Sequence, residues 1–301
     1  YSGLPRYETV EALLAHEQFD AAMVAVSNRH SPAVIEELAR AGKHILAEKP
    51  VAGRSADARR IKQAVDDAGV AFQTGYMWRY DDCANRLKRM IEEDRFGKLI
   101  SIESVYVTSD VNRRGPAHYL FDVNESYAGF FSWLSCHHID LLQYITEQAV
   151  TGVTSRIGNF TTTEVAVEDG GTAILDLESG AIATLIGGYW IPRWAGEVQW
   201  TLRGSQRWVH WDPSKPNTGG SLEIHGPQPQ WYAMEETYDA PADSTPGYGG
   251  GPGVALLQDW FAMIRGDVEA CRNTTDSMLA TVQIVDTILQ ASLDGRRLEI
   301  K

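Results

Sequence analysis

Over the first eighty residues, apolar positions fall in short unbroken runs separated by amphipathic stretches. Ala21-Ala22-Met23-Val24-Ala25-Val26 is one such run, closed by polar Ser27-Asn28-Arg29; this is the pattern of a strand covered on both faces of a parallel sheet. Ser31-Pro32 then opens a helix with a capping hydroxyl and a proline in its first turn. Val34, Ile35, Leu38 and Ala39 share one face of it, and Gly42 ends it. His44-Ile45-Leu46-Ala47 predicts a second strand. Ser55-Ala56-Asp57 caps a second helix, on which Ile61, Ala64 and Val65 recur at helical spacing. Gly69 closes that helix before a third strand, Val70-Ala71-Phe72-Gln73-Thr74. Strand–helix–strand–helix–strand with short loops predicts a doubly wound parallel sheet.

From about residue 82 the period changes. Ala84, Leu87, Met90 and Ile91 mark an amphipathic helix, and the run beginning Leu99-Ile100-Ser101-Ile102 alternates as a half-covered strand does. A helix is predicted over 132–144 and strands over 171–177, 181–189, 198–202 and 208–211. Glu178-Ser179-Gly180 joins the first two of these as a hairpin. Residues 239–253, rich in Pro, Gly, Ser and Asp, predict a long loop. Two helices close the chain. Val254, Leu257, Phe261 and Ile264 share a face of the first; the second is capped near Thr275 and carries Leu279, Val282, Val285 and Leu289. The expected fold class is α/β: a partial parallel-sheet domain over 1–78, then an α+β domain over 79–301 with an open-faced, mainly antiparallel sheet.

Length agrees with two domains, since 301 residues exceed one ordinary core. Charge removes one class of partner. Lys and Arg total 27 against 40 for Asp and Glu, a net charge of −13, whereas a nucleic-acid binder needs a basic face to displace counterions. No apolar run approaches the roughly 18 residues of a spanning helix, so no membrane partner is expected. Cys83, Cys136 and Cys271 are odd in number and never form a CxxC pair; they predict free thiols, a reducing compartment and a cytoplasmic location.

Three segments could carry chemistry. Ala47-Glu48-Lys49-Pro50 ends the second strand, and ligands of open α/β sheets sit beyond the carboxyl ends of strands. A lysine partly withdrawn from water there can serve acid–base work; the plain alternative is a solvated strand-end lysine beside a turn proline. In Gly129-Phe130-Phe131-Ser132-Trp133-Leu134-Ser135-Cys136-His137-His138-Ile139-Asp140, the residues Trp133, His137 and Asp140 share one helical face. A histidine near a carboxylate can shuttle a proton, or the same residues can simply satisfy one another in a buried helix. Cys136, His137 and His138 point about 100° apart in turn and cannot converge on one ion, so no metal is expected. Gly75-Tyr76-Met77-Trp78-Arg79-Tyr80 follows the third strand and offers Tyr76 and Arg79 to a polyol, or to packing between domains. Ser27 and Asn28 could line the same crevice. No GxGxxG is present; 247–253 breaks its spacing at Pro252.

Together, Glu48-Lys49-Pro50, Gly75-Tyr76 with Arg79, Gly97-Lys98-Leu99-Ile100 and His137-His138-Ile139-Asp140 resemble the Gfo/Idh/MocA family of NAD(P)-dependent oxidoreductases. The resemblance implies a Rossmann-like first domain, an open-faced sheet domain, and a homo-oligomer built through that sheet. It implies hydride transfer between NAD or NADP and a secondary alcohol of a small-molecule sugar or cyclitol. Lys49 and His137 would be catalytic; Tyr76, Arg79, Trp133, His138 and Asp140 would bind substrate; Ser27, Asn28, Glu48 and Lys49 would bind cofactor. Trp133 stands where the family usually has Asp, and Ser31 where it often has His. The resemblance also implies a strand, a Gly-rich turn, a helix and a second strand ahead of Tyr1, so the chain is expected to lack that pyrophosphate-binding end. A non-catalytic sugar-binding or regulatory homologue is the competing expectation.

Overall fold

The computed structural model describes residues 3–161, 164–191, 196–227, 234–267 and 271–300. In chain order its elements are α1 (Val10–His16), β1 (Ala21–Val24), α2 (Ser31–Arg40), β2 (His44–Ala47), α3 (Ser55–Ala68), β3 (Phe72–Thr74), α4 (Asp82–Glu92) and β4 (Leu99–Thr108). The short helices α5 (Asp110–Arg114) and α6 (Val123–Ser126) precede a π-helical turn at Phe131–Ser135 and α7 (Cys136–Thr146). Then come β5 (Val150–Gly158), β6 (Gly170–Leu177), β7 (Ile182–Gly188), β8 (Gly196–Gly204), β9 (Trp208–Asp212), β10 (Ser221–His225) and β11 (Met234–Asp239). The helices α8 (Gly250–Ile264) and α9 (Thr275–Asp294) and the short β12 (Leu298–Glu299) end the chain.

The first sheet is parallel with order β1-β2-β3. Ile35, Leu38, Ile45, Ile61 and Phe72 meet in its core, because each βα unit has one apolar helix stripe to cover and the strands supply both faces. The second sheet has nine strands in the order β11-β10-β9-β8-β4-β7-β6-β5-β12. It is antiparallel except where β4 pairs β7. The hairpin between β6 and β7 turns at Gly180, whose φ of 83° only glycine adopts freely.

Several boundaries differ from the sequence expectation. Ser31 lies inside α2 rather than capping it: His30 holds the cap position and offers no side-chain bond. Likewise Arg54, not a hydroxyl, stands at the cap of α3, and Thr274 rather than Thr275 caps α9 through Ser277 N. The predicted loop over 239–253 ends early, since α8 starts at Gly250. The left-handed Gly249 turns the chain there, and the Asp243 carboxylate accepts from Gly251 N at 2.5 Å. On α8 the buried side chains are Leu256 and Trp260, whereas Val254 and Phe261 of the expected face are exposed. The helix meets the parallel sheet at Leu46 rather than at a broad apolar layer. The α1 helix and strands β5, β10, β11 and β12 lie outside the sequence expectation: Thr151 and Gly152 break the apolar alternation of β5, β10 alternates only over Ser221–His225, and β12 is Leu298–Glu299 alone.

One helix belongs to both cores. Met278 and Val282 of α9 pack into the parallel-sheet core, while Ile284, Val285, Ile288 and Ala291 pack into that of the large sheet. The other face of the large sheet carries Ile174, Ile182 and Ile186 exposed among threonines, with Ile174 opposite Thr184 and Ile186 opposite Thr172. Since Ile288 is fully buried, Ile288→Ala is expected to cost about 2–5 kcal/mol. Urea unfolding followed by tryptophan fluorescence checks this; a loss below about 1 kcal/mol would mean that α9 contributes little to joining the cores.

Candidate active site

The site begins where the parallel sheet ends. Beyond β2, Glu48 N donates to Val24 O at 2.8 Å and Gly75 N donates to Ala47 O at 2.9 Å. The ladder therefore runs one step past the assigned strands and fixes the backbone entering Lys49. The Lys49–Pro50 bond is cis. Lys49 is only 6% exposed. Its ammonium donates to the Trp133 carbonyl at 2.8 Å and stands 4.4 Å from the centre of the Trp133 ring. A buried ammonium must find acceptors, and here a carbonyl and an aromatic face from the second region meet it.

The acceptor comes from the π-helical turn, which delivers Trp133 and then passes directly into α7 with His137 and His138. Both histidines are buried among rings. His137 stacks on Trp78 with centroids 5.4 Å apart and meets the edge of Tyr76. Burial, with the Lys49 charge and His138 adding to it, holds the His137 imidazole well below its usual range and so neutral. Its Nδ1 has no hydrogen-bond partner among the described residues. His138 lies between Tyr106 at 4.8 Å and Trp200 at 5.0 Å and bonds Ser104 through Nδ1; burial pushes it down to about 3.

The expected face of Trp133, His137 and Asp140 does not assemble as one unit. The π turn shifts Trp133 out of α-helical phase with His137, and Asp140 is engaged elsewhere. Both its carboxylate oxygens accept from Arg79, at 2.9 Å from Nε and 2.6 Å from an Nη. Arg79 also donates to the Arg272 carbonyl and lies beside the Tyr144 ring. Burial opposes the guanidinium charge, but Asp140 outweighs it and raises Arg79 above its ordinary value. Arg79 and Asp140 thus form a buried ion pair with each other. Ser27 and Asn28 are similarly occupied: Ser27 donates to the Glu125 carboxylate at 2.7 Å, and Asn28 to the Ser126 carbonyl at 3.0 Å, tying the β1 loop to α6. Tyr76 is buried with its hydroxyl unpaired among the described residues. Trp78 and Tyr106, which flank the two histidines, were missed; their position in a mixed aromatic run and an alternating strand was the available signal.

Beside Lys49, a cleft of about 290 Å³ opens between the ends of β1 and β2 and the start of α8, lined by Val24, Ala47, Glu48, Met77 and Tyr248 among others. Its apolar walls and single carboxylate suit a flat aromatic ring with one polar edge, as a nicotinamide has. Gly75 also lines it, and a Cβ there would lie 3.1 Å from Glu48 Oε2. Among the described residues no three His, Cys, Asp or Glu stand where they could hold a metal ion, and no helix is long and apolar enough to cross a membrane.

Two outcomes follow from this geometry. Removing one member of the Arg79–Asp140 pair should cost about 3–5 kcal/mol, and more than removing both, because a lone buried charge remains. Chemical denaturation of Asp140→Ala and of Arg79→Met/Asp140→Leu checks the order; a single variant as stable as the double would refute a buried pair. The histidines set an acid limb. Held neutral in the fold, both bind protons more readily when unfolded, so stability falls as pH drops below about 6.5. In His138→Asn, proton uptake on unfolding near pH 5.5 should fall by about one; equal uptake in both proteins would place the limb elsewhere.

Comparison with known proteins agrees with this architecture. Residues 1–76 match the oxidoreductase family with an NAD-binding Rossmann fold, and residues 84–210 match the GFO/IDH/MocA C-terminal domain. Myo-inositol 2-dehydrogenase of Thermotoga maritima is 27% identical over 183 residues, which is 60% of this chain and 52% of that protein. Inositol 2-dehydrogenase of Rhizobium meliloti is 27% identical over 150 residues, 49% of this chain and 42% of its own length. The chain spans about half the length of the curated relatives it matches. A solved levoglucosan dehydrogenase, in complex with NADH and levoglucosan, superposes with a TM-score of 0.85 at 16% identity, covering 98% of this chain and 83% of that one. The parallel sheet, the open-faced nine-stranded sheet and the two family matches together place the chain in the Gfo/Idh/MocA oxidoreductase family.

Proposed function

We propose that the protein transfers a hydride between a nicotinamide cofactor, NAD or NADP, and a secondary alcohol carbon of a sugar or cyclitol. The observation that carries this reading is the Lys49 ammonium, buried at the strand end, bonded to the Trp133 carbonyl and acting on a neutral His137, with the adjoining Glu48 lining an apolar cleft. The cofactor, when bound, supplies the hydride acceptor or donor. Glu48 and the walls of the cleft would hold the nicotinamide end. A substrate hydroxyl placed between Lys49 and His137 would donate to the imidazole and accept from Nζ, which stabilises negative charge developing on that oxygen. Trp78, Trp133 and Tyr106 offer apolar faces to a sugar ring. Tyr76 is within ring contact of His137 and is proposed to border the substrate. The cofactor roles proposed for Ser27 and Asn28 run through the α6 loop they hold, and the substrate-binding roles proposed for Arg79 and Asp140 run through the pair that joins Arg79 to α7. Dehydrogenase names among the relatives and the exposed isoleucines of the large sheet support a small-molecule substrate and a homo-oligomer joined through that sheet.

Lys49→Ala should lower kcat about 10²- to 10⁴-fold, the range of a lost acid–base group, with KM changing far less. NAD(P)H absorbance with a panel of cyclitols, aldoses and anhydrosugars measures it. Turnover unchanged in a folded Lys49→Ala protein removes this lysine from the reaction.

A further inference from the structure

The turn that holds Lys49 is itself held from behind. The Glu168 carboxylate accepts from Gly129 N at 2.6 Å through one oxygen and from Phe131 N at 3.0 Å through the other, and the Glu168 carbonyl accepts from Phe130 N at 3.3 Å. Three successive amides at the mouth of the π-helical turn therefore rest on one residue of the loop before β6. The approach is close: a Cβ at Gly129 would lie 1.8 Å from the Glu168 carbonyl oxygen. Two residues past Phe131 is Trp133, whose carbonyl accepts from Lys49, and four residues further is His137.

We propose that Glu168 is a positioning residue, whose carboxylate, by gripping the Gly129 and Phe131 amides, sets the place of the Trp133 carbonyl and through it the Lys49 ammonium. The consequence for turnover rests on the hydride-transfer reading above; the mechanical link does not. Glu168 also lines a cavity of about 400 Å³ bounded by Gly53, Arg54, Tyr127 and Asp286, so its proton can exchange with solvent. Burial raises its carboxyl to about 7, with the neighbouring Asp169 adding to the rise and the two amides opposing it. Among the described residues the charged groups around it are Asp169, occupied by Phe160 N, Thr161 and Trp190; Asp286 of α9, occupied by Ser55; and Arg54, which lies over Tyr127. The ionised carboxylate can accept from both amides, whereas the protonated acid keeps one good acceptor. The grip therefore tightens as pH rises through about 7.

The test uses hydrogen exchange of residues 128–136, corrected for intrinsic rates, and acylation of Lys49 relative to exposed Lys98, both from pH 5.5 to 8.5 on the whole chain. In the wild type, protection of the Gly129 and Phe131 amides should rise with a midpoint near 7, and Lys49 acylation should slow with the same midpoint. In Glu168→Gln both steps should vanish, with exchange at pH 8 about tenfold faster, the scale of one lost charge-assisted hydrogen bond. Protection that is flat with pH, or unchanged in Glu168→Gln, overturns the proposal; so does looser exchange with an unaltered Lys49 rate. If Glu168→Gln does not fold, the shared midpoint of the two wild-type curves decides the matter, and separate midpoints overturn it. Neither measurement needs substrate or cofactor. A coupled turn in a protein without hydride transfer would therefore refute only the proposed function, and hydride transfer without coupling would refute only the role of Glu168.

Discussion

The bond from the Lys49 ammonium to the Trp133 carbonyl is the contact on which the site depends. An ammonium taken out of water costs several kcal/mol unless it is met by acceptors, so the end of β2 and the turn before α7 cannot drift apart without exposing that cost. The bond places a cation of the first sheet against an aromatic ring and a neutral imidazole of the second. The π-helical turn makes this possible. One extra residue in the turn takes Trp133 out of phase with α7, and there its carbonyl accepts from Lys49 and from the Cys136 thiol.

Around that bond the polar groups divide by whether the fold satisfies them. Arg79 and Asp140 satisfy each other in the interior, and Ser27 and Asn28 satisfy the ends of α6. His138 is wedged between aromatic rings with Ser104 as its bonded neighbour. The Tyr76 hydroxyl, His137 Nδ1 and His138 Nε2 are left over, buried and unpaired among the described residues, with Tyr76 and His137 in ring contact. Buried groups left unpaired cost about 1–3 kcal/mol each, and such a cost is more readily kept where a ligand can offset it.

The two sheets share one structural member. Residues of α9 fill both cores, so the helix that buttresses α3 also lies along β5. The relation between the parallel sheet and the nine-stranded sheet, and hence between Lys49 and His137, is thereby set by apolar packing at some distance from the polar site. The opposite face of the large sheet keeps its isoleucines exposed.

Local pattern was enough for the βαβαβ order, the strand-end position of Lys49, the alternation of β4 and the hairpin at Gly180, because each depends on residues within a few positions of one another. The same holds for the grouping of His137 with a helix. Strands β5 and β11 escaped because polar residues, and Gly152 in β5, break their apolar alternation, and β10 because its alternation spans only Ser221–His225; such segments become strands only when a neighbour supplies the ladder. The extra residue of the π turn leaves no period in the sequence, so an ideal helix put Trp133, His137 and Asp140 on one face. Arg79 with Asp140, Ser27 with Glu125 and Glu168 with Gly129 are separated by 61, 98 and 39 positions. Which donor meets which acceptor over such separations is decided only when packing brings them together. The residue types of the site were thus legible in the chain, while their pairing, burial and charge state belong to the tertiary structure, since desolvation and hydrogen-bond geometry act on neighbours in space.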